Sequence, residues 1–292
     1  LFHILIGMNR YLYLYLLFTT GFSACAATEQ GDHTMKLEQS VCGLKEPLLF
    51  WLWSSQAGSP NEKRLAGLRN VVGVSFKAAD GRVLRGYQLA ADLGSNQKQT
   101  TRPKGYVLVI QGNAMLADQI LAEFRAYADA GYDVFIYDYR GYGRSEGKRR
   151  IKAIVNDYKN LIASLNAQPY EQRLVYAMSL GGIVLLNALT EELKLDRVVI
   201  DSSPSRLSDY GCPDSYDPVN HLPTDCSNFM FVAGEQDRVV NLGMSKELLE
   251  KGQQREARVR IDPEFSHPFM DMSWTVHKRR MNTIKEFMLN VH

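Results

Sequence analysis

Between residues 106 and 261, short apolar runs alternate with segments of helical period, and this alternation constrains the fold more than any other feature. Residues 106–110 (Tyr-Val-Leu-Val-Ile) form a continuous apolar run, as a parallel strand buried on both faces requires. Residues 120–130 have helical period and stop at Gly131; residues 133–137 read as a strand and 154–165 as a helix. The pattern continues with strands at 174–177, 197–200, 229–233 and 257–261, helices after Ser179 and around 245–251, and a closing helix over 282–290. Strict alternation of this kind predicts an α/β fold, with a mostly parallel central sheet and helices on both faces. Ahead of it, residues 68–77 and 83–90 flank Ala79-Asp80-Gly81-Arg82 as a hairpin. In such sheets ligands bind beyond the carboxyl ends of the strands.

One strand-to-helix junction carries chemistry. Val175-Tyr176-Ala177-Met178-Ser179-Leu180-Gly181-Gly182-Ile183-Val184 reads as a strand, a serine on a tight turn, then a helix. A turn that sharp strains the serine and lifts its hydroxyl clear of the sheet, and only small residues fit beside it. Ala177 and Gly181 flank Ser179 at spacing two, with alanine where the usual G-x-S-x-G has its first glycine.

The formal charge of +2 over 292 residues gives no basic footprint for nucleic acid, and the longest cationic run, Lys148-Arg149-Arg150, suits a solvated loop. No spacing suits a metal, and no motif suits a nucleotide or redox cofactor, so none is expected. From Met8 the order is Arg10, an apolar run over 11–18, then Thr19-Thr20-Gly21-Phe22-Ser23-Ala24-Cys25, which reads as a secretory signal. Phe22-Ser23-Ala24-Cys25 is similar to a bacterial lipobox, with Phe where Leu is usual, and makes Cys25 the lipidation candidate. The alternatives are plain cleavage near residues 24–27, or an uncleaved anchor if residues 1–7 extend the apolar stretch. The expected organisation is a signal segment over 1–25, a tether and helical segment over 26–66, and one α/β domain over 67–292. Leu48-Leu49-Phe50-Trp51-Leu52-Trp53 lies in the second of these, in a helix over 45–55 expected on the sheet edge, with a membrane-facing role as the alternative. In an oxidising envelope Cys212 and Cys226 are expected to pair, contributing about 3 kcal/mol for so short a loop, which leaves Cys42 over.

Over residues 71–290 the chain resembles the α/β-hydrolases. The residues that carry the likeness are Gln111-Gly112-Asn113-Ala114, Asp138-Tyr139-Arg140-Gly141-Tyr142-Gly143-Arg144-Ser145, Ala177 to Gly182, Gly234-Glu235-Gln236-Asp237 and Ser266-His267. They are most similar to the branch with an H-G-N-A turn that includes monoacylglycerol-lipase-like and serine-aminopeptidase-like proteins. The resemblance implies a triad in the order Ser179, Asp237, His267. Asp201 is the competing acid, and Asp262 reads as a turn residue. It further implies an oxyanion hole from the backbone N–H groups of Leu180 and Asn113. Gln111 stands where the family has histidine, which leaves a backbone donor intact. Asp138 to Ser145 is expected to be structural, and His3, His33, His221 and His277 to be background.

Many such enzymes insert a helical cap between the strands that carry Asp201 and Asp237. Here residues 204–228 contain Pro204, Pro213, Pro218 and Pro223, which argues against such a cap and for an open site. The expectation is a serine hydrolase of carboxylic esters, thioesters or amides, acting on a small-molecule or lipid-like acyl substrate. It would be held in the bacterial envelope through its lipidated N-terminus, or secreted. Acyl transfer by the same residues and a non-catalytic binding protein on this scaffold are the alternatives.

Overall fold

The computed structural model describes residues 36–94 and 102–290. Residues 1–25, expected to form a signal segment, with the lipidation candidate Cys25, and His3 and His33 lie outside the described residues. Among the described residues, one sheet holds eight strands in the order β1-β2-β4-β3-β5-β6-β7-β8. The hairpin is β1 (Val71–Lys77) and β2 (Val83–Leu89), paired from Val71↔Leu89 to Lys77↔Val83. Its turn is held by the Asp80 carboxylate, which accepts from the Arg82 N–H, and by Gly81 at φ +86°. β2 runs antiparallel to β4 (Tyr132–Tyr137); β3 (Gly105–Ile110), β5 (Gln172–Met178), β6 (Arg197–Asp201), β7 (Phe229–Gly234) and β8 (Arg258–Asp262) continue in parallel. Every residue of β3, β4 and β7 is buried, which explains their apolar runs, broken in β4 by Asp133, whose carboxylate accepts from the Ala91 N–H and Tyr170 Oη.

Two apolar layers cover the sheet. One joins Leu108, Ile110 and Val175 to α4 (Ile151–Asn166) and α5 (Leu180–Ala188); the other joins Val107, Val109 and Tyr176 to α7 (Trp274–Leu289). This is the doubly covered, mostly parallel sheet that the alternation predicts. Element ends differ in places. The segment over 120–130 is broken into α2 (Ala117–Ile120), a 3-10 turn and α3 (Arg125–Asp129). α7 starts eight residues earlier than expected, because the Ser273 hydroxyl caps it by accepting from the Val276 N–H at 3.3 Å. α6 (Leu242–Gln254) is likewise capped, by Asn241.

The interval 204–228 contains three short 3-10 turns and no α-helix. It is organised around Asp217, whose carboxylate accepts from the N–H groups of Leu207 and Ser208 at 2.7 Å each. No helical cap stands between β6 and β7.

The cysteine pairing requires correction. The disulfide joins Cys42 to Cys212, 170 residues apart, and Cys226 is a free, buried thiol. The Asp217-centred turns carry Cys212 outward to the N-terminal segment. Cys226 instead sits in the core at the approach to β7, its Sγ 3.4 Å from the Pro223 carbonyl. Burial pushes the Cys226 thiol up to about 11. On chain-entropy grounds a loop this long makes the staple worth on the order of 5 kcal/mol, more than the short loop would give.

The N-terminal helix α1 (Lys45–Gln56) also departs from expectation, lying against the C-terminal ends of the strands rather than on the sheet edge. Among the described residues, no helix is long and apolar enough to cross a membrane.

Candidate active site

Ser179 sits between β5 and α5 at φ +52°, ψ −117°, a strained conformation for a residue with a side chain. The strain is held by packing. The Ser179 N–H donates to the Asp201 carbonyl at 2.8 Å, and a Cβ at Gly181 would collide with the Ile110 carbonyl oxygen. At Gly182 a Cβ would meet the Ser203 hydroxyl at 2.6 Å. The two glycines therefore let α5 start directly against β3 and β6, with the serine held at the rim of a cavity.

His267 follows β8 and Asp237 follows β7. Their side chains meet at 2.9 Å, Nδ1 to Oδ2, with Asp237 buried and His267 mostly so. The other Asp237 oxygen accepts from the N–H groups of Val239 and Val240 at 2.8 Å each. Burial pushes the Asp237 carboxyl up, but His267 and these two N–H groups outweigh it and hold the carboxyl below its usual range. Ser179 and His267 line the same cavity of about 450 Å³.

Asp201 is committed elsewhere. It accepts from Tyr176 Oη at 2.8 Å, from Ser202 at 3.2 Å and from buried Arg280 at 2.7 Å. Arg280 also bonds Asp271 and the Ser266 carbonyl, so it ties the loop bearing His267 to the end of β6. Asp262 closes β8 and holds the turn that follows, accepting from the Glu264 N–H and paired with Arg260 and Arg279. His277 pairs with Asp271 and Glu123, and the hydrogen bond to Asp271 is the main cause that raises its pKa. His221 Nε2 lies 2.8 Å from the Ser215 carbonyl oxygen.

Asn113 and Leu180 line the cavity beside Ser179. Leu180 opens α5, so its N–H has no carbonyl one turn back to bond. The Asn113 loop is held through residues whose part the sequence reading left general. Tyr142 Oη donates to the Asn113 side-chain oxygen, and Tyr139 Oη donates to the Gln111 carbonyl. Gln111 bonds the Met115 carbonyl at 3.2 Å. Asp138 accepts from the Ala117 N–H at 2.7 Å, and burial pushes its carboxyl up to about 6. Arg140, fully buried, is clamped by Asp80, Asp157 and Glu38. The Asp-Tyr-Arg-Gly-Tyr-Gly segment thus braces the loop beside the serine; its two tyrosines among small residues are the signal that marks them.

The far wall of the cavity is the surprise. Cys42, Glu46, Leu49, Phe50 and Trp53, from α1 and the residue stapled beside it, line the same cavity as Ser179. Among the described residues, no group of three or more His, Cys, Asp or Glu side chains is placed to hold a metal ion.

The sheet order, the serine turn and the Asp237–His267 pair define an α/β-hydrolase fold. A family model described as serine aminopeptidase, S33, matches residues 101–211. Over 87 residues the chain is 33% identical to a monoacylglycerol lipase of Mycolicibacterium smegmatis, covering 28% of this chain and 31% of that one. The match thus spans about a third of the lipase's length. The Pyrococcus furiosus esterase Pf2001 superposes with a TM-score of 0.60 at 18% identity, covering 80% of this chain and 96% of that one. XC6422 from Xanthomonas campestris, described as an a/b serine hydrolase without lid, gives 0.56 at 16% identity over 76% and 94%.

Proposed function

We propose that the protein is a serine hydrolase that cleaves carboxylic esters or thioesters through an acyl-enzyme. One observation carries the reading: Ser179, at a strained turn, shares a cavity with a histidine whose far nitrogen is 2.9 Å from a buried carboxylate. A free serine hydroxyl is a weak nucleophile, so His267 Nε2 takes its proton as Oγ attacks the carbonyl carbon. Asp237 fixes the tautomer and stabilises the imidazolium. The carbonyl π electrons move to oxygen, and the N–H groups of Leu180 and Asn113 face that charge. Collapse expels the alcohol or thiol, which takes the proton from Nε2; water then repeats the sequence on the acyl-enzyme and releases the acid.

The resemblance of residues 101–211 to the serine aminopeptidase family, and esterases among proteins of the same fold, support hydrolysis. The apolar cavity favours an acyl substrate over a charged peptide. An envelope location, with Cys25 as lipid anchor, is part of the proposal. A disulfide bond, which persists in oxidising compartments, supports it. The test is fluorophosphonate labelling of wild type beside Ser179→Ala. Labelling lost in the variant is expected; an unlabelled, well-folded wild type would refute the assignment.

A further inference from the structure

The cavity has a wall that the fold itself does not supply. The sheet and the helices that cover it contribute Ser179, Leu180, Ile183 and His267, while the opposite side is α1, contributed from outside that frame. α1 carries Phe50 inward, 7% exposed, with Leu49 and Trp53 along the rim. Its other face, with Leu48 at 63% and Trp51 at 61%, points to solvent.

Three anchors hold the helix in place. Before it, Cys42 is bonded to Cys212 in the loop that replaces the missing cap. In its first turn, the buried Glu46 carboxylate accepts from the Ile151 N–H at the start of α4 at 2.7 Å, and also from Val41, Cys42 and Ser40. Beyond its end, the Ala57 carbonyl accepts from Gln119 at 2.7 Å. Each Glu46 oxygen is thereby committed to donors of the protein. The one carboxylate among the lining residues is occupied; Gln56 and Arg238 add polar groups to the lining, and the rest of what α1 and its neighbours present is mainly hydrocarbon and aromatic ring.

We infer that α1 is a stapled surrogate lid whose inner face forms a subsite for a medium-length alkyl chain, with Phe50 and Trp53 setting chain-length preference. This rests on the serine-hydrolase reading and specifies its acyl substrate. A cavity of about 450 Å³ is in the range that small ligands fill. Each methylene it takes from water strengthens binding by up to about fourfold. The disulfide acts here as a positioning element: it keeps the wall at fixed distance from Ser179, so opening it releases one of three anchors.

The experiment compares kcat/KM for p-nitrophenyl decanoate and p-nitrophenyl acetate in the full chain, taking their ratio. In Phe50→Ala the ratio falls about tenfold, mostly through KM for decanoate, and in Trp53→Ala it falls in the same direction. In Leu48→Ala, on the outward face of the same helix, it stays within about twofold of wild type. Thiol reduction of the folded enzyme lowers the ratio as well, and Cys42→Ser repeats that result if the variant folds. A ratio unchanged in Phe50→Ala, or lowered equally by Leu48→Ala, overturns the subsite while labelling of Ser179 and acetate hydrolysis leave the hydrolase reading standing. A labelled serine with no turnover of either ester, or no labelling at all, overturns both.

Discussion

Replacing Arg280 with methionine tests whether the support behind the active site is electrostatic. Its side chain is wholly buried, stacked over Phe265 at 4.4 Å, and bonded to Asp201, Asp271 and the Ser266 carbonyl. Arg280→Met keeps most of the volume but leaves buried Asp201 without its cation and Asp271 with His277 alone. Breaking a buried pair from one side costs about 3–5 kcal/mol. At roughly 2–4 °C per kcal/mol for a domain of this size, the melting temperature should fall on the order of 10 °C. The sign with pH follows from Asp271. Burial pushes this carboxyl up, but in the wild type His277 and Arg280 outweigh that and hold it below the usual range. Without Arg280 it takes up a proton more readily in the folded state, so the cost is smaller at pH 5 than at pH 8. Asp201→Asn added to Arg280→Met should recover at least about 1 kcal/mol, since it removes one stranded charge. Because Arg280 holds the carbonyl preceding His267, turnover should drop as well, about tenfold. Thermal and urea unfolding of the single and double variants at pH 5 and pH 8, with activity measured below the transition, read all four. A loss under about 1 kcal/mol at pH 8, or one that does not change with pH, would mean that packing rather than charge does the holding.

Other expectations follow from the same geometry. Asp237→Asn should lower kcat by about four orders of magnitude with the fold intact, because the histidine loses its orienting charge; steady-state kinetics beside circular dichroism checks both, and near-normal turnover would move the acid elsewhere. Asp138, raised to about 6 by burial, supports the fold fully below its unfolded value near 3.8, and that contribution is lost as pH rises through about 6. Asp138→Asn should therefore flatten this loss and gain roughly 2 kcal/mol at pH 8 relative to pH 4, read by denaturant titration. Tyr142→Phe removes the hydroxyl that holds Asn113 and should cut kcat severalfold with little change in KM. Gly181→Ala should abolish soluble expression or cost about 3 kcal/mol or more, since the added methyl has nowhere to go against Ile110.

Much of this architecture is legible in residue order. Buried parallel strands need unbroken apolar runs, so β3 and β7 stand out, and the turn at Ser179 is announced by the small residues its strain demands. Asp237 and His267 are legible through the resemblance to the α/β-hydrolases, which puts an acid and a base after strands at the end of the sheet where ligands bind. What escaped depends on contacts between distant segments. The apolar character of α1 runs around the helix, so no single stripe says which face is inward, and the wall it forms was read as sheet-edge packing. Arg280 and Asp201 are 79 residues apart, and nothing local distinguishes Asp201, also at a strand end, from Asp237 except that this cation claims it. The Cys42–Cys212 bond is of the same kind.

That bond also bears on how the chain reaches its native state. Cys212 and Cys226 are about 14 residues apart, whereas Cys42 is 170 residues from Cys212. Contact probability in an unfolded chain falls roughly as the three-halves power of separation, so Cys212 meets the wrong partner about forty times more often than the right one. Oxidation before folding would therefore trap the nearer pair. Folding first reverses the competition, because it draws Cys226 into the core, raises its thiol to about 11 and leaves Cys212 facing Cys42. The native cross-link is therefore favoured when folding precedes oxidation, and burial keeps the Cys226 thiol from attacking the finished bond.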